Sequence, residues 1–391
     1  MRYQTDQFDD KKDYTMKLLI PGPVQPEQEV LQAMGDPVQP HYGPEWTHIY
    51  NETVDMLKTV YGTTGDVFII VGSGSSGLDA AIGSMVPTGE KILIGVNGFF
   101  GERLCAIAQS YGLEVIPISG EWGQVLESDD VSKIASQHTD ASALAVVHLE
   151  TSTTIVNPIK DIGKIANELD IPYIVDAVSS LGGLPIQMDE WGIDVCVSAS
   201  QKCLGAPPGL ATVAVGPGAW EAIDRVPEKS HGWYLNLRVW KHYQRAWADW
   251  HPFPITMATS NVLALRKSLE GLLVEGIEAR MARYRMLAVH LREGLRRIEM
   301  RPFTPDELLA PVLTAAYGPP GVPTGDIVAY MSTIHDTKIA GGLGEKLKDV
   351  IFRIGHMAPT TSLEDIDDLL INLADFTPDW RSTFTEKAER D

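Results

Sequence analysis

The sequence predicts an α/β fold: a large domain built on a mostly parallel sheet, followed by a smaller C-terminal α+β domain. Three observations carry this. Up to about residue 220, short runs rich in Val and Ile alternate with amphipathic stretches. Those runs are apolar at successive positions, the pattern of strands buried on both faces and therefore covered by helices. Beyond residue 260 the pattern changes to a long helical stretch, two further strands and one last helix. At roughly 100–200 residues per domain, 391 residues suffice for two such units.

Residues 1–16 are polar and charged without periodicity and read as a loose N-terminal arm. The large domain is expected over 17–260 and the small one over 261–391. Strands are expected at VFIIV (67–71), KILIGV (91–96), EVIPI (114–118), ALAVVHL (143–149), YIVDAV (173–178), VCVSA (195–199) and TVAVG (212–216). Ala206-Pro207-Pro208-Gly209 and Gly216-Pro217-Gly218 mark tight connections between them. Residues 231–254 hold four of the nine tryptophans among basic residues. Such a mixture can bind single-stranded nucleic acid; the alternative, a packed helix whose aromatics line an interface, suits the overall charge better. From Asn261 to about Glu299 the spacing predicts a long helix broken near Gly271 or Gly276. PVLTAAY (311–317) and VIFRIG (350–355) read as strands, and Thr361-Ser-Leu-Glu364 as a capping box ahead of IDDLLINLADF. The sequence has no internal repeats or low-complexity tracts.

Composition narrows the function. Lys and Arg number 32 against 52 Asp and Glu, a net charge of −20. A surface that acidic repels phosphate backbones and anionic headgroups, so neither a nucleic-acid nor a membrane partner is expected. Cys105, Cys196 and Cys203 show no CxxC or paired-His spacing, so neither a disulfide framework nor a metal site is indicated, and a reducing compartment fits. No apolar run reaches the roughly 18–20 residues of a membrane span, and the first residues lack the apolar core of a secretory signal. A cytoplasmic location is expected.

Two constellations could carry chemistry. Gly72-Ser-Gly74-Ser-Ser-Gly77 follows a strand and opens a helix, satisfying the GxGxxG pattern that brings backbone amides to a phosphate. A nicotinamide site also needs an acid after the next strand, and KILIGV runs instead into Asn97-Gly98. A compact terminal phosphate suits the serine hydroxyls better; the alternative is a glycine turn serving only helix packing. The second constellation is Asp176, ending one buried run, and Lys202, 26 residues later near the end of another. That distance is about one strand-helix-strand step and would place both at the carboxyl edge of neighbouring strands, where open α/β sheets bind ligands. Singly, Lys202 reads as a solvated lysine and Asp176 as a turn carboxylate. Together with a phosphate cradle they are what pyridoxal phosphate requires: an amine for the aldehyde and a carboxylate that keeps the pyridine nitrogen protonated.

The runs LIPGPV (19–24), GSGSSGLDAAI (72–82), NGFFGER (97–103), IVDAVSSLGG (174–183), SASQKCLGAPPGL (198–210) and FRIGHM (352–357) resemble the motifs of the class V aminotransferases. The branch they most resemble is that of the alanine/serine–glyoxylate (pyruvate) aminotransferases. The motifs keep the family's order from about residue 17 to 375, and the resemblance implies pyridoxal-phosphate fold type I. It implies that Lys202 carries the cofactor and moves the substrate α-proton, with Asp176 as partner of the pyridinium. Val178 would pack on one ring face and Phe100 on the other, where many relatives have Trp; the alternative for Phe100 is a plain core residue. Ser73, Gly74 and Ser75 match the phosphate turn and Gln201 a further phosphate contact. Thr151 matches a hydroxyl contact to the cofactor, or else bonds only its own turn. Thr256 matches a residue reaching the phosphate from the neighbouring subunit, which implies a homodimer with shared sites. Phe253 stands where some relatives have Tyr. Arg353 matches the clamp on the substrate carboxylate, against the alternative of a surface ion pair, and Gly22 lies in the loop beside that carboxylate.

The implied reaction is a ping-pong transfer of an amino group from a small amino acid, alanine or serine, to a 2-oxo acid, glyoxylate or pyruvate. One alternative is an (S)-ureidoglycine–glyoxylate aminotransferase, a branch that the polar run Thr256-Met-Ala-Thr259-Ser260-Asn261 resembles. Others are a protein that keeps the fold and binds without turnover, and a hydride-transfer enzyme. Cysteine desulfurases need a nucleophilic Cys ahead of the C-terminal arginine, and residues 304–352 contain none.

Overall fold

The computed structural model describes residues 16–227 and 232–380. The expected arm, but for Met16, lies outside the described residues. Strands are β1 (Lys17–Leu18), β2 (Asp66–Val71), β3 (Lys91–Val96), β4 (Glu114–Ser119), β5 (Ala143–Val147), β6 (Leu149–Glu150), β7 (Ile155–Val156), β8 (Tyr173–Asp176), β9 (Val195–Ala199), β10 (Leu210–Val215), β11 (Leu313–Tyr317), β12 (Thr337–Lys338), β13 (Ala340–Gly341) and β14 (Ile351–Gly355). Helices are α1 (Gln28–Gly35), α2 (Pro44–Tyr61), α3 (Gly74–Met85), α4 (Phe99–Ser110), α5 (Ser128–Gln137), α6 (Ile159–Glu168), α7 (Ala219–Arg225), α8 (Leu237–Ala246), α9 (Thr259–Glu275), α10 (Ile277–Arg297), α11 (Thr324–Ile334) and α12 (Leu363–Ala374).

The central sheet runs β2-β10-β9-β8-β5-β3-β4. Only β10 opposes its neighbours β2 and β9; the other adjacent pairs are parallel. Because β10 reverses direction between them, β2 and β9 point the same way. The carboxyl ends of β2, β3, β5, β8 and β9 therefore share one edge. β5, β9 and β10 are buried along their whole length, which is why their sequences are apolar without alternation. β11, β14 and β13 form a second, antiparallel sheet whose Leu313, Phe352 and Ile354 pack with Leu287 and Leu291 of α10 and Leu369 of α12 in a separate core.

Four expectations need correction. Residues 177–194, between β8 and β9, hold no helix; Gly182, Gly183 and Pro185 interrupt any helical run there. Val262, Leu265, Leu269 and Leu272 of α9 are buried in the first core, so that core reaches past residue 260 to Gly276. There the backbone turns left-handed, at φ +89°, and ends α9, whereas Gly271 stays within the helix. Leu19 and Val24, expected in the large domain, belong to the second core, because β1 pairs with β12 and the Gly355 N–H bonds the Leu19 carbonyl at 2.9 Å. The capping box is one residue later than read: Ser362 Oγ accepts from the Asp365 N–H at 3.1 Å, and the Asp365 carboxylate accepts from the Ser362 N–H at 2.8 Å. In the Trp-rich segment Trp240 of α8 is fully buried, while Trp233 and Trp250 remain about half exposed.

The cap register is checked by thermal unfolding. Ser362→Ala is expected to cost about 1 kcal/mol, the usual loss of an N-cap side chain. Glu364→Ala should cost less than half of that, since it removes only an interaction with the helix dipole.

Candidate active site

The shared edge gathers the expected residues. The turn after β2 supplies Ser73, Gly74 and Ser75; Phe100 follows β3, Asp176 ends β8 with Val178 two residues on, and Gln201 and Lys202 follow β9. All eight, with Gly22, line one cavity of about 290 Å³. Lys202 Nζ donates to the carbonyl of Pro21, which ties the N-terminal turn to the lysine. Asp176 Oδ1 accepts the Val178 N–H at 2.9 Å.

Close approaches shape the cavity. A Cβ on Gly74 would stand 2.7 Å from Val178 Cγ2, and one on Gly22, whose φ is +92°, only 2.5 Å from Lys202 Cδ. Glycine is required at both positions. α3 starts at the cavity, and its N-cap Ser73 makes no side-chain cap bond. The positive helix end and the serine hydroxyl are thus both available to an anion. Beside them the buried side-chain oxygen of Gln201 has no partner among the described residues.

Burial sets the electrostatics. Desolvation pushes the Asp176 carboxyl up to about 6; the Val178 N–H, Lys202 and Arg103 favour its ionised form and Glu150 opposes it. Desolvation holds the Lys202 amine down to about 8, with Arg353 and Arg103 adding to the depression and Asp176 opposing it. Arg353 is buried and pulled down to about 10 by desolvation. It lies outside the cavity wall: Nη1 donates to the Thr151 carbonyl at 3.0 Å and Nε to the Gly341 carbonyl at 2.9 Å. Thr151 is also buried outside the wall. Thr256 is exposed and is not part of this chain's cavity. Phe253 is fully buried, its ring 4.8 Å from that of Tyr50 and 4.3 Å from that of His251.

Two charged residues escaped the sequence reading. Arg103 lines the cavity and lays its guanidinium 4.7 Å from the centre of the Phe100 ring. Glu150, fully buried, directly follows the apolar run 143–149. An acid at the end of a buried strand is the signal that singled out Asp176, and it applies equally to Glu150.

The family model described as Aminotransferase class-V matches residues 24–319, and the chain belongs to the class V aminotransferases. It is 40% identical over 348 residues to an uncharacterized aminotransferase of Methanocaldococcus jannaschii, covering 89% of each chain. It is 30% identical over 375 residues to the (S)-ureidoglycine–glyoxylate transaminase of Bacillus subtilis, covering 91% of this chain and 89% of that one. The crystal structure of an alanine–glyoxylate aminotransferase from Nostoc sp. superposes with a TM-score of 0.89 at 31% identity, over 94% of this chain and 97% of that one. The protein is a pyridoxal-phosphate-dependent transaminase of fold type I. The uncapped α3 terminus, the unpaired Gln201 oxygen and the depressed amine of Lys202 fit that cofactor.

Gly22→Ala tests the close approach. It should lower stability by about 1–3 kcal/mol through strain and overpacking and displace Lys202, weakening cofactor retention on gel filtration. Unchanged stability and retention would remove Gly22 from the site.

Proposed function

We propose that this transaminase moves the amino group of a small amino acid, of the alanine or serine type, to glyoxylate or pyruvate in two half-reactions at one site. The observation that carries the reading is the joint placement of a depressed amine, a buried carboxylate and an uncapped helix end around 290 Å³. That volume is at the small end for ligand sites. Relatives named for alanine and glyoxylate, for ureidoglycine and glyoxylate, and for pyridoxamine and pyruvate share small oxo acids.

Bound pyridoxal phosphate supplies an aldehyde and an electron-accepting ring. In this reading Ser73, Gly74, Ser75 and Gln201 hold its phosphate, and Thr151 helps to position it. Asp176 keeps the ring nitrogen protonated, and Phe100 and Val178 cover the two ring faces. Lys202 takes the substrate α-proton as a base and returns it as an acid. Arg353, whose two bonds described above go only to carbonyls, offers its fork to the substrate α-carboxylate, a bidentate match that lysine lacks, with the Gly22 backbone beside it. Thr256, exposed here, reaches the phosphate site of a second copy, which makes the active unit a homodimer. Among the described residues no helix is long and apolar enough to cross a membrane.

Amino donors assayed against glyoxylate and pyruvate test the substrate class. Turnover with alanine or serine is expected; silence with every simple amino acid, together with turnover of ureidoglycine, would transfer the assignment to that donor.

The pH dependence follows from the two shifted groups. Asp176 is ionised above about 6, and the amine of Lys202 becomes free base as pH rises through about 8. Affinity of the apo-protein for pyridoxal phosphate, followed by absorbance, should therefore be lost as pH falls through about 6, and the rate of uptake should climb between pH 7 and 9. A flat profile in Asp176→Asn below neutrality, with the upper limb kept, would assign the lower limb to this carboxylate.

A further inference from the structure

Glu150 carries a buried charge that the proposed mechanism leaves unused. Its Oε2 accepts the N–H groups of Phe100 at 2.9 Å and Gly101 at 3.1 Å, and its Oε1 accepts the N–H and hydroxyl of Ser152 at 3.0 and 2.6 Å. Ser152 Oγ in turn accepts the Phe99 N–H at 3.0 Å. Every partner of the carboxylate is a donor, the pattern of an ionised acid. α4 begins after Gly98, which has no side chain to cap it, so its first N–H groups are satisfied from a strand some fifty residues away. Gly98 admits the acid: a Cβ there would stand 2.4 Å from Glu150 Cγ and Cδ.

A serine at position 98 could cap this helix locally without burying a charge. An acid brought from another strand does something more, because it joins two segments. The residue after Glu150 is Thr151, whose carbonyl takes the bond from Arg353. The charge of Glu150 also bears on both Arg353 and Asp176.

We propose that Glu150 is a positioning residue: it holds Phe100 on α4 and Arg353 on β14 as one unit, fixing the spacing between the aromatic face and the carboxylate fork. This rests on the roles proposed above for Phe100 and Arg353. Glu150→Gln keeps the shape, removes the charge and turns an amide donor toward existing donors.

The test compares Glu150→Gln, Phe100→Ala, Arg353→Ala and the two doubles containing Glu150→Gln. Affinity of the apo-protein for pyridoxal phosphate is read by fluorescence quenching, and affinity of the holoenzyme for acetate, an unreactive carboxylate, by the change in cofactor absorbance. Glu150→Gln should weaken each about tenfold, the loss of one charge-assisted bond. It should add nothing to Phe100→Ala in the first assay or to Arg353→Ala in the second, as expected for residues acting together. Ser362→Ala, a remote destabilising control, should move neither. Additive losses, or an unchanged affinity in either assay, overturn the proposal. If Arg353→Ala leaves acetate affinity intact, the role of Arg353 fails first and this inference with it. If Glu150→Gln does not fold, Ser152→Ala, which keeps the charge and removes one donor, should weaken both affinities about threefold, with the same non-additivity.

Discussion

A charge removed from water must be compensated by donors or an opposite charge, and at one sheet edge this chain buries several. Asp176, Lys202, Arg353 and Glu150 are each largely desolvated, and for each burial is the leading cause of its altered proton affinity. Glu150 is repaid by backbone and hydroxyl donors, and Arg353 by two carbonyls. Asp176 and Lys202 are only partly compensated, which leaves an acid near 6 and an amine near 8 facing one cavity. That incomplete compensation is what a charged, planar cofactor can complete.

The fold makes this possible through strand direction. Parallel strands send their carboxyl ends, with the loops that follow, to the same edge, and β10 returns antiparallel so that β2 joins that set. The helix that follows β2 then points its positive end into the cavity. Rigid strand ends hold the amine, the acid and the helix terminus at fixed separations, which a catalytic constellation needs and a long loop supplies poorly. Missing Cβ atoms at Gly22, Gly74 and Gly98 let the backbone come close to Lys202, Val178 and Glu150.

The small domain enters through two long-range ties. β1 pairs with β12, and the end of β14 lies against the N-terminal turn that touches Lys202. Arg353 is thereby connected to the large-domain edge by the Thr151 carbonyl on one side and by the chain's own beginning on the other. A strand some 330 residues away in sequence thus reaches the same site as Gly22.

Much of this was legible locally. Unbroken apolar runs marked the buried strands, and strand-end positions marked Asp176 and Lys202. Serine and glycine after β2 marked the turn that lines the cavity, because each of these signals lies within a few consecutive residues. Placement of α9 in the first core and the joining of residues 17–24 to the second depended on partners far away, which no window of sequence contains; the helix-free crossover before β9 was written locally, in Gly182, Gly183 and Pro185, and was misread. Because such partners are distant, Glu150 went unread, and the Thr151 carbonyl, which accepts from Arg353 across some two hundred residues, could not be foreseen. The sequence by itself determined the buried strands, the cofactor chemistry and the family, since these follow from residue type and short spacing. Only the tertiary structure decided which groups lose their water together, because desolvation depends on everything packed around a charge.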